Sequence, residues 1–296
     1  TIFSDIKKLP PGQKLTFNLT NRQSDITKYW NITDKVLQRK KHRLSSEEDL
    51  INKLEVLMSK SISGQLHADV PVSILLSGGI DSSLITSLAS RNVEKLNTFT
   101  VKFSDHQGFD EAQHAGLIAK KYATNHIELE ASSINPAIIN DLTYFVDEPI
   151  FDHSMVPTFL LSKAISSSFK VALSGDGADE LFGGYPHYNK LLGLKKSAQF
   201  FPLIARKKMN SLSENLLPIG TRGRKTLELF ASDFNNSYPN ILEFFSSHDQ
   251  KNYLNYPVPQ KDFSFYEHQD NLSQIENYIS RVTLSDFHNY LAECLL

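Results

Sequence analysis

Residues 73–83 read SILLSGGIDSS. An apolar run, VSILL at 72–76, stops at Ser77-Gly78-Gly79. Asp81, Ser82 and Ser83 then open a new apolar pattern. This is a strand that leaves through two glycines into the mouth of a helix. Glycine lets the backbone take positive φ and lets a ligand approach the main chain. The N–H groups of the turn and of the first helical turn form an anion nest. Ser77, Ser82 and Ser83 add hydroxyls on the same curve, so the surroundings are shaped for a phosphate. The stretch lacks the lysine of GxxxxGK[ST], and it is not GxGxxG. Asp81 would repel a bare phosphate, and a Mg²⁺ bridging the two removes that objection. The plain alternative is a Ser/Gly turn in which Asp81 caps a helix.

The same logic returns in SGDGADELFGGY at 174–185. Ser174 and Gly175 leave a second apolar strand, KVALS at 170–174. Asp176, Asp179 and Glu180 then cluster within five residues. Like charges that close need a metal, a cation or solvent to relieve them. The plain alternative is a solvated acidic helix start. In a parallel sheet both loops emerge at one edge and can hold a triphosphate with Mg²⁺ from two sides.

Around these loops, residues 70–175 alternate strand and helix. Strands are expected at 72–76, 96–103, 126–130 and 170–174. Helices are expected over 82–90, 110–123, 135–146 and 157–168. That alternation predicts βαβ units, hence an α/β fold with a mostly parallel sheet and helices on both faces. Function belongs at the C-terminal ends of the strands. LNTFTVKF offers Val101 and Phe103 as apolar walls for a base, with Lys102 pointing the other way. A helix is expected after Ser45, with Glu48 closing a capping box, Leu50, Leu54 and Leu57 on one side, and Ile51, Met58 and Ile62 close beside. After about 190 the strand signal disappears. Segments 213–217, 225–234, 240–245 and 272–280 look helical, broken by loops such as NYPVPQ at 255–260. The division expected is 1–35 as a linker or tail, 36–190 as the nucleotide-binding core and 191–296 as an all-helical region.

Composition excludes several classes. The 296 residues carry 31 Lys+Arg against 33 Asp+Glu, which gives no general nucleic-acid footprint. RKKHR at 39–43 reads as a solvated turn. A lone cysteine, Cys294, excludes a disulfide framework and a cysteine zinc site. No apolar run reaches membrane-spanning length. A reducing, cytoplasmic setting fits best.

The residues also carry a resemblance. SGGIDSS resembles the pyrophosphatase-loop (PP-loop) signature of N-type ATP pyrophosphatases, an adenine nucleotide alpha-hydrolase-like fold. SGDGADELFGGY, FDEAQHAGLIAKKYATNHIELE (109–130) and DEPIFDHSMVPTFLLSKAI (147–165) are similar to the synthetase domain of the asparagine synthetase family. The likeness is strongest over 70–188. It implies Mg-ATP, a carboxylate substrate with aspartate first, ammonia, and release of pyrophosphate and AMP. By this resemblance Leu76, Ser77, Gly78, Gly79, Asp81, Ser82, Ser83, Val101, Ser174 and Gly175 contact the nucleotide. Asp81 and Asp179 hold the metal. Asp176 and Asp179 are catalytic, with Asp176 taking a proton from the attacking nitrogen.

Two departures from the pattern shape the expectation. The family's glutaminase domain begins with a cysteine, whereas this chain begins with Thr1, so ammonia is expected from solution or from a glutaminase domain elsewhere. A KVDR-type lysine segment follows the FHNYLAECLL-like helix in the family, and the chain stops at Leu296. A fragment of a longer enzyme is therefore expected. The alternatives are a relative that amidates or cyclises another carboxylate, and a noncatalytic nucleotide-binding module.

Overall fold

The computed structural model describes residues 3, 5–38, 46–102, 111–130, 137–146, 148, 152, 154–234, 247–254, 272 and 274–295. The basic run at 39–43, Phe103, the helix expected at 240–245 and the break at 255–260 lie outside them. In chain order the elements begin with β1 (Gln13–Phe17), β2 (Ser24–Lys28), α1 (Ile32–Gln38) and α2 (Glu47–Leu66). β3 (Val72–Leu75), α3 (Ile80–Ala89), β4 (Asn97–Lys102), α4 (Ala112–Lys121) and β5 (Asn125–Glu130) follow. Then come α5 (Ala137–Phe145), α6 (Met155–Ile165), β6 (Val171–Leu173), α7 (Ala178–Phe182) and α8 (Pro186–Ala198). The last are α9 (Leu203–Leu216), α10 (Arg224–Phe230), α11 (Ser247–Tyr253), α12 (Tyr278–Asp286) and a π-helix, Phe287–Leu295. Among the described residues no helix is long and apolar enough to cross a membrane.

The chain divides into two compact units. One comprises Thr1–Lys8, Lys41–Asp176 and Leu295; the other comprises Leu9–Lys40, Gly177–Cys294 and Leu296.

The first unit contains a four-stranded parallel sheet of order β5-β4-β3-β6. β3 and β4 are covered on both faces. Ser73 and Ile74 are both fully buried, and Thr98, Phe99 and Thr100 form an unbroken buried run. That replaces the alternation of a one-sided strand, as a central parallel strand requires. The connections β3–α3–β4 and β4–α4–β5 run one way across the sheet, and the return through α5 and α6 runs the other. Right-handed crossovers therefore put α3 and α4 on one face and α5 and α6 on the opposite one. Ile74, Leu88, Ala89 and Leu96 make one core with Ile62 of α2. Each large side chain buried there contributes about 1.5–3 kcal/mol.

One local expectation for α2 is corrected, and its apolar stripe is only partly buried. Ser46, not Ser45, caps it, its Oγ accepting the Asp49 N–H at 3.1 Å. The buried side is Met58, Ile62 and Leu66, while Leu50, Leu54 and Leu57 stay exposed. Only the second half of the helix packs on the core.

The second unit is helical apart from the β1–β2 hairpin, and no strand follows Leu173 among the described residues. Its core joins Tyr188, Leu191 and Ala198 of α8 to Phe230, Phe234, Tyr278 and Val282. Buried Arg206 donates from Nη1 to the carbonyls of Phe230 (2.6 Å) and Ser232 (2.7 Å). A cation thus satisfies the C-terminal carbonyls of α10. Of the helix expected over 272–280, residues 274–277 are not helical, and α12 begins at Tyr278, where Asn277 Oδ1 accepts the Ser280 N–H at 3.1 Å.

Candidate functional site

β3 pairs with β4 on one side and β6 on the other, and the chain's direction of travel across the sheet reverses between them. In an open parallel sheet that reversal opens a crevice beyond the carboxyl ends of the strands. The loop 76–80 and the loop after Leu173 leave the sheet there.

The first loop is shaped by contact with α4. Gly78 has φ +83°, and a Cβ on it would lie 2.6 Å from the Ala115 nitrogen and 2.7 Å from the His114 Cβ. Only glycine turns the chain there. Leu76 is anchored on both sides: its N–H donates to the Phe99 carbonyl at 2.7 Å, and its side chain packs on Ala115 and Ala119. A contact from Leu76 to a ligand would therefore come from its main chain. Ser77 and Ser82 hold the turn closed, Oγ to Oγ at 3.0 Å, and the Ser77 N–H donates to Ser82 Oγ at 3.2 Å. The Gly79 N–H donates to Ser77 Oγ at 3.2 Å. Asp81 stands half-buried in the first turn of α3, whose leading N–H groups have no intrahelical partner. Ser83 Oγ is buried and has no hydrogen-bond partner.

The second loop closes on the first. A Cβ on Gly175 would lie 3.2 Å from both the Asp81 Cβ and the Ser82 nitrogen. The two loops thus meet at the N-terminus of α3. Ser174 Oγ donates to Asp176 Oδ2 at 2.6 Å and turns that exposed carboxylate back over its own loop. Val101 lies half-buried toward the end of β4, paired with Leu129.

These observations fit an anionic ligand with a divalent cation. There is an open main-chain turn, a ten-residue helix with free leading amides, an orphaned hydroxyl at Ser83 and a carboxylate at Asp81. Among the described residues no group of three His, Cys, Asp or Glu could hold a metal. Mg²⁺ bound to phosphates needs only one or two carboxylates, so this donor set suits it.

In the second unit, Asp179 sits in the first turn of α7, where its carboxylate occupies the space a side chain at Gly184 would need. Its neighbour Glu180 is 2% exposed. The Tyr185 hydroxyl donates to Glu180 Oε1 at 2.8 Å, and Oε2 has no partner. Burial pushes the Glu180 carboxyl above its ordinary value. The Tyr185 bond opposes that, and the Asp179 and Asp286 charges add to it. Buried Asp286 accepts the Tyr188 hydroxyl at 2.8 Å and lies 3.4 Å from His187 Nε2. Burial, then the partner acids, push both tyrosine hydroxyls far above their ordinary value. Of this cluster only Asp179 is expected at the site from the sequence. Tyr185, His187 and Tyr188 follow the second glycine pair directly, and that spacing is the one local signal for them. Asp286, 98 residues beyond Tyr188, leaves none.

Residues 53–296 match the family model described as asparagine synthase. A putative asparagine synthetase [glutamine-hydrolyzing] from Mycobacterium tuberculosis is 36% identical over 60% of this chain and 27% of its own length. Asparagine synthetase [glutamine-hydrolyzing] 1 of Bacillus subtilis is 32% identical over 89% of this chain and 40% of its own. A putative asparagine synthetase [glutamine-hydrolyzing] 2 from Methanocaldococcus jannaschii is 29% identical over 83% and 46%. The chain spans less than half the length of each.

Proposed function

Since the chain belongs to the asparagine synthase family, we propose that it performs the ATP-dependent amide-forming half of such an enzyme, with aspartate as the carboxylate. ATP binds at the crevice beyond β3 and β6. The observation that carries this reading is the meeting of two glycine loops at the mouth of α3, with Gly175 packed on Asp81 and Ser82. Main-chain donors from 78–82 and the hydroxyls of Ser77, Ser82 and Ser83 hold the β- and γ-phosphates. Asp81 is the carboxylate assigned to Mg²⁺, which neutralises phosphate charge when bound. A metal role for Asp179, in the second unit, rests on the resemblance alone.

A carboxylate oxygen of the substrate attacks the α-phosphorus, and the bond to pyrophosphate breaks. Charge develops on the leaving pyrophosphate, where preorganised donors stabilise it. Ammonia then attacks the acyl carbon of the adenylate, AMP leaves, and Asp176 takes the proton from nitrogen. Its exposed position and short bond to Ser174 leave it accessible for that transfer. The bracketed activity in the relatives' names supports a glutamine-hydrolysing part, on the same chain or a separate one, as the source of ammonia.

The test is Mg²⁺-dependent ATP–pyrophosphate exchange against a panel of carboxylic acids headed by aspartate. Aspartate-dependent exchange, lowered about a thousandfold by Asp81→Ala, is the expected result. Exchange with another acid alone would move the reading to a relative that amidates or cyclises that acid. Silence with every acid, on this chain and on one extended past Leu296, would leave a nucleotide-binding module in place of an enzyme.

A further inference from the structure

Glu180 is a buried acid with no part in the amide-forming scheme. It is 2% exposed. Its Oε1 is satisfied by the Tyr185 hydroxyl, and its Oε2 is buried with no partner. No lysine or arginine among the described residues pairs with it. The charges that act on it are those of acids, Asp179 and Asp286, with the same sign. A buried carboxylate oxygen left bare is costly, and native structures rarely keep one without a reason.

The surroundings define what would satisfy it. Tyr185 and Tyr188 stand together, ring centroids 5.7 Å apart, and Tyr290 meets Tyr185 edge-on at 6.2 Å. Tyr290 is delivered by the π-helix, a backbone form that recurs at functional sites. The same segment seats Leu291 against Gly177, one residue before α7. Aromatic rings and a bare carboxylate oxygen together favour a small cation that carries its own N–H donors. Among the described residues no group of three His, Cys, Asp or Glu stands there to hold a metal by side chains alone.

We infer that Glu180 Oε2 holds an ammonium ion among the rings of Tyr185, Tyr188 and Tyr290. The choice of ammonium over potassium rests on the amide-forming reading, whose nucleophile is nitrogen. The carboxylate supplies charge and one acceptor, and the rings supply the remaining attraction.

The test is thermal unfolding of the chain in ammonium chloride against sodium chloride at matched ionic strength, with neither ATP nor a carboxylic acid present. Ammonium is expected to raise the midpoint by about 2 °C over sodium, and Glu180→Gln to abolish the difference. Tyr185→Phe keeps the ring and leaves Oε2 in place, so it is expected to retain the shift. A wild-type midpoint indifferent to ammonium would overturn the inference. So would an equal rise in potassium chloride, or a rise that survives in Glu180→Gln. Line broadening of ¹⁵N-ammonium by the wild-type chain reads the same binding without a variant, and its absence would count equally against the site. Because no nucleotide is present, failure here bears on the ammonium site alone. Failure of pyrophosphate exchange bears on the reading of the reaction.

Discussion

In the sheet unit the acids at the loops are open: Asp81 is half-buried and Asp176 is exposed. In the helical unit Glu180 and Asp286 are 2% and 5% exposed, wrapped by tyrosines. The first unit builds its candidate site from main-chain shape, with glycines, leading amides and short hydroxyls. The second builds from side chains that bond one another across long stretches of sequence. Open carboxylates cost little in the absence of a ligand, because water solvates them. Buried ones cost more and must be matched by donors or a bound cation. The two units should therefore respond differently to substitution.

Gly78→Ala should give the largest effect, because it attacks main-chain shape directly. The left-handed φ costs roughly 1–2 kcal/mol for a side-chain-bearing residue. The Cβ would also press on the main chain of α4, 2.6 Å from the Ala115 nitrogen, a further penalty of about 1–3 kcal/mol. The expected result is a midpoint lowered by about 5–10 °C in thermal unfolding, with exchange activity lost. A folded variant of unchanged stability would show that the loop can be rebuilt without glycine, and the contrast between the units would fail.

Tyr188→Phe tests the other side. It removes the hydroxyl that donates to buried Asp286 at 2.8 Å and leaves the ring in the core with Leu191 and Val282. The loss of a hydrogen bond to a buried charge should cost about 2 kcal/mol, read by urea unfolding as a lower midpoint at unchanged slope. A cost below about 0.5 kcal/mol would mean that Asp286 is satisfied without the tyrosine, and the helical unit would be less dependent on its internal bonds than its geometry implies.

This contrast also governs what could be read from the chain. Ser77-Gly78-Gly79 and Ser174-Gly175 announce themselves because turn chemistry is local, and each follows directly on an apolar strand. That both loops leave one edge of the sheet follows from parallel topology, which βαβ alternation discloses, whereas the strand order does not. The cap of α2 is ambiguous by one residue in the sequence because Ser45 and Ser46 are both followed, three positions on, by an acid. The apolar stripe of that helix is legible, with Met58 and Ile62 on its packed part, but periodicity says nothing of how much of it finds a neighbour. Leu57 lies on the stripe and stays 65% exposed. The polar cluster was least legible. Tyr188 and Asp286 lie 98 residues apart, and Glu180 reads as a solvated helix start until the fold buries it.

His126 sharpens the comparison because it is a side-chain network inside the sheet unit. Its Nδ1 lies 2.9 Å from Thr98 Oγ1, which in turn lies 2.8 Å from Thr124 Oγ1, and its Nε2 is buried without a partner. Burial pushes the imidazole below its ordinary value of 6.5, against the raising influence of Glu128 and Thr98. The folded state thus resists a proton that the unfolded chain accepts. The sign follows from linkage: the unfolded state binds more protons below about pH 6.5, so stability falls as pH drops through that value. Above it His126 contributes no slope. His126→Asn keeps a polar atom near Thr98 but cannot be charged, so its denaturant midpoint should fall less between pH 7 and pH 5 than that of the unaltered chain. This effect is the smallest of the three, since it appears only on acidification and only as a difference of slopes. Parallel slopes in the two proteins would show that water or a shifted side chain accommodates the imidazolium. In that case the sheet unit would tolerate a charge without a dedicated donor, whereas the helical unit gives Glu180 and Asp286 a tyrosine hydroxyl each.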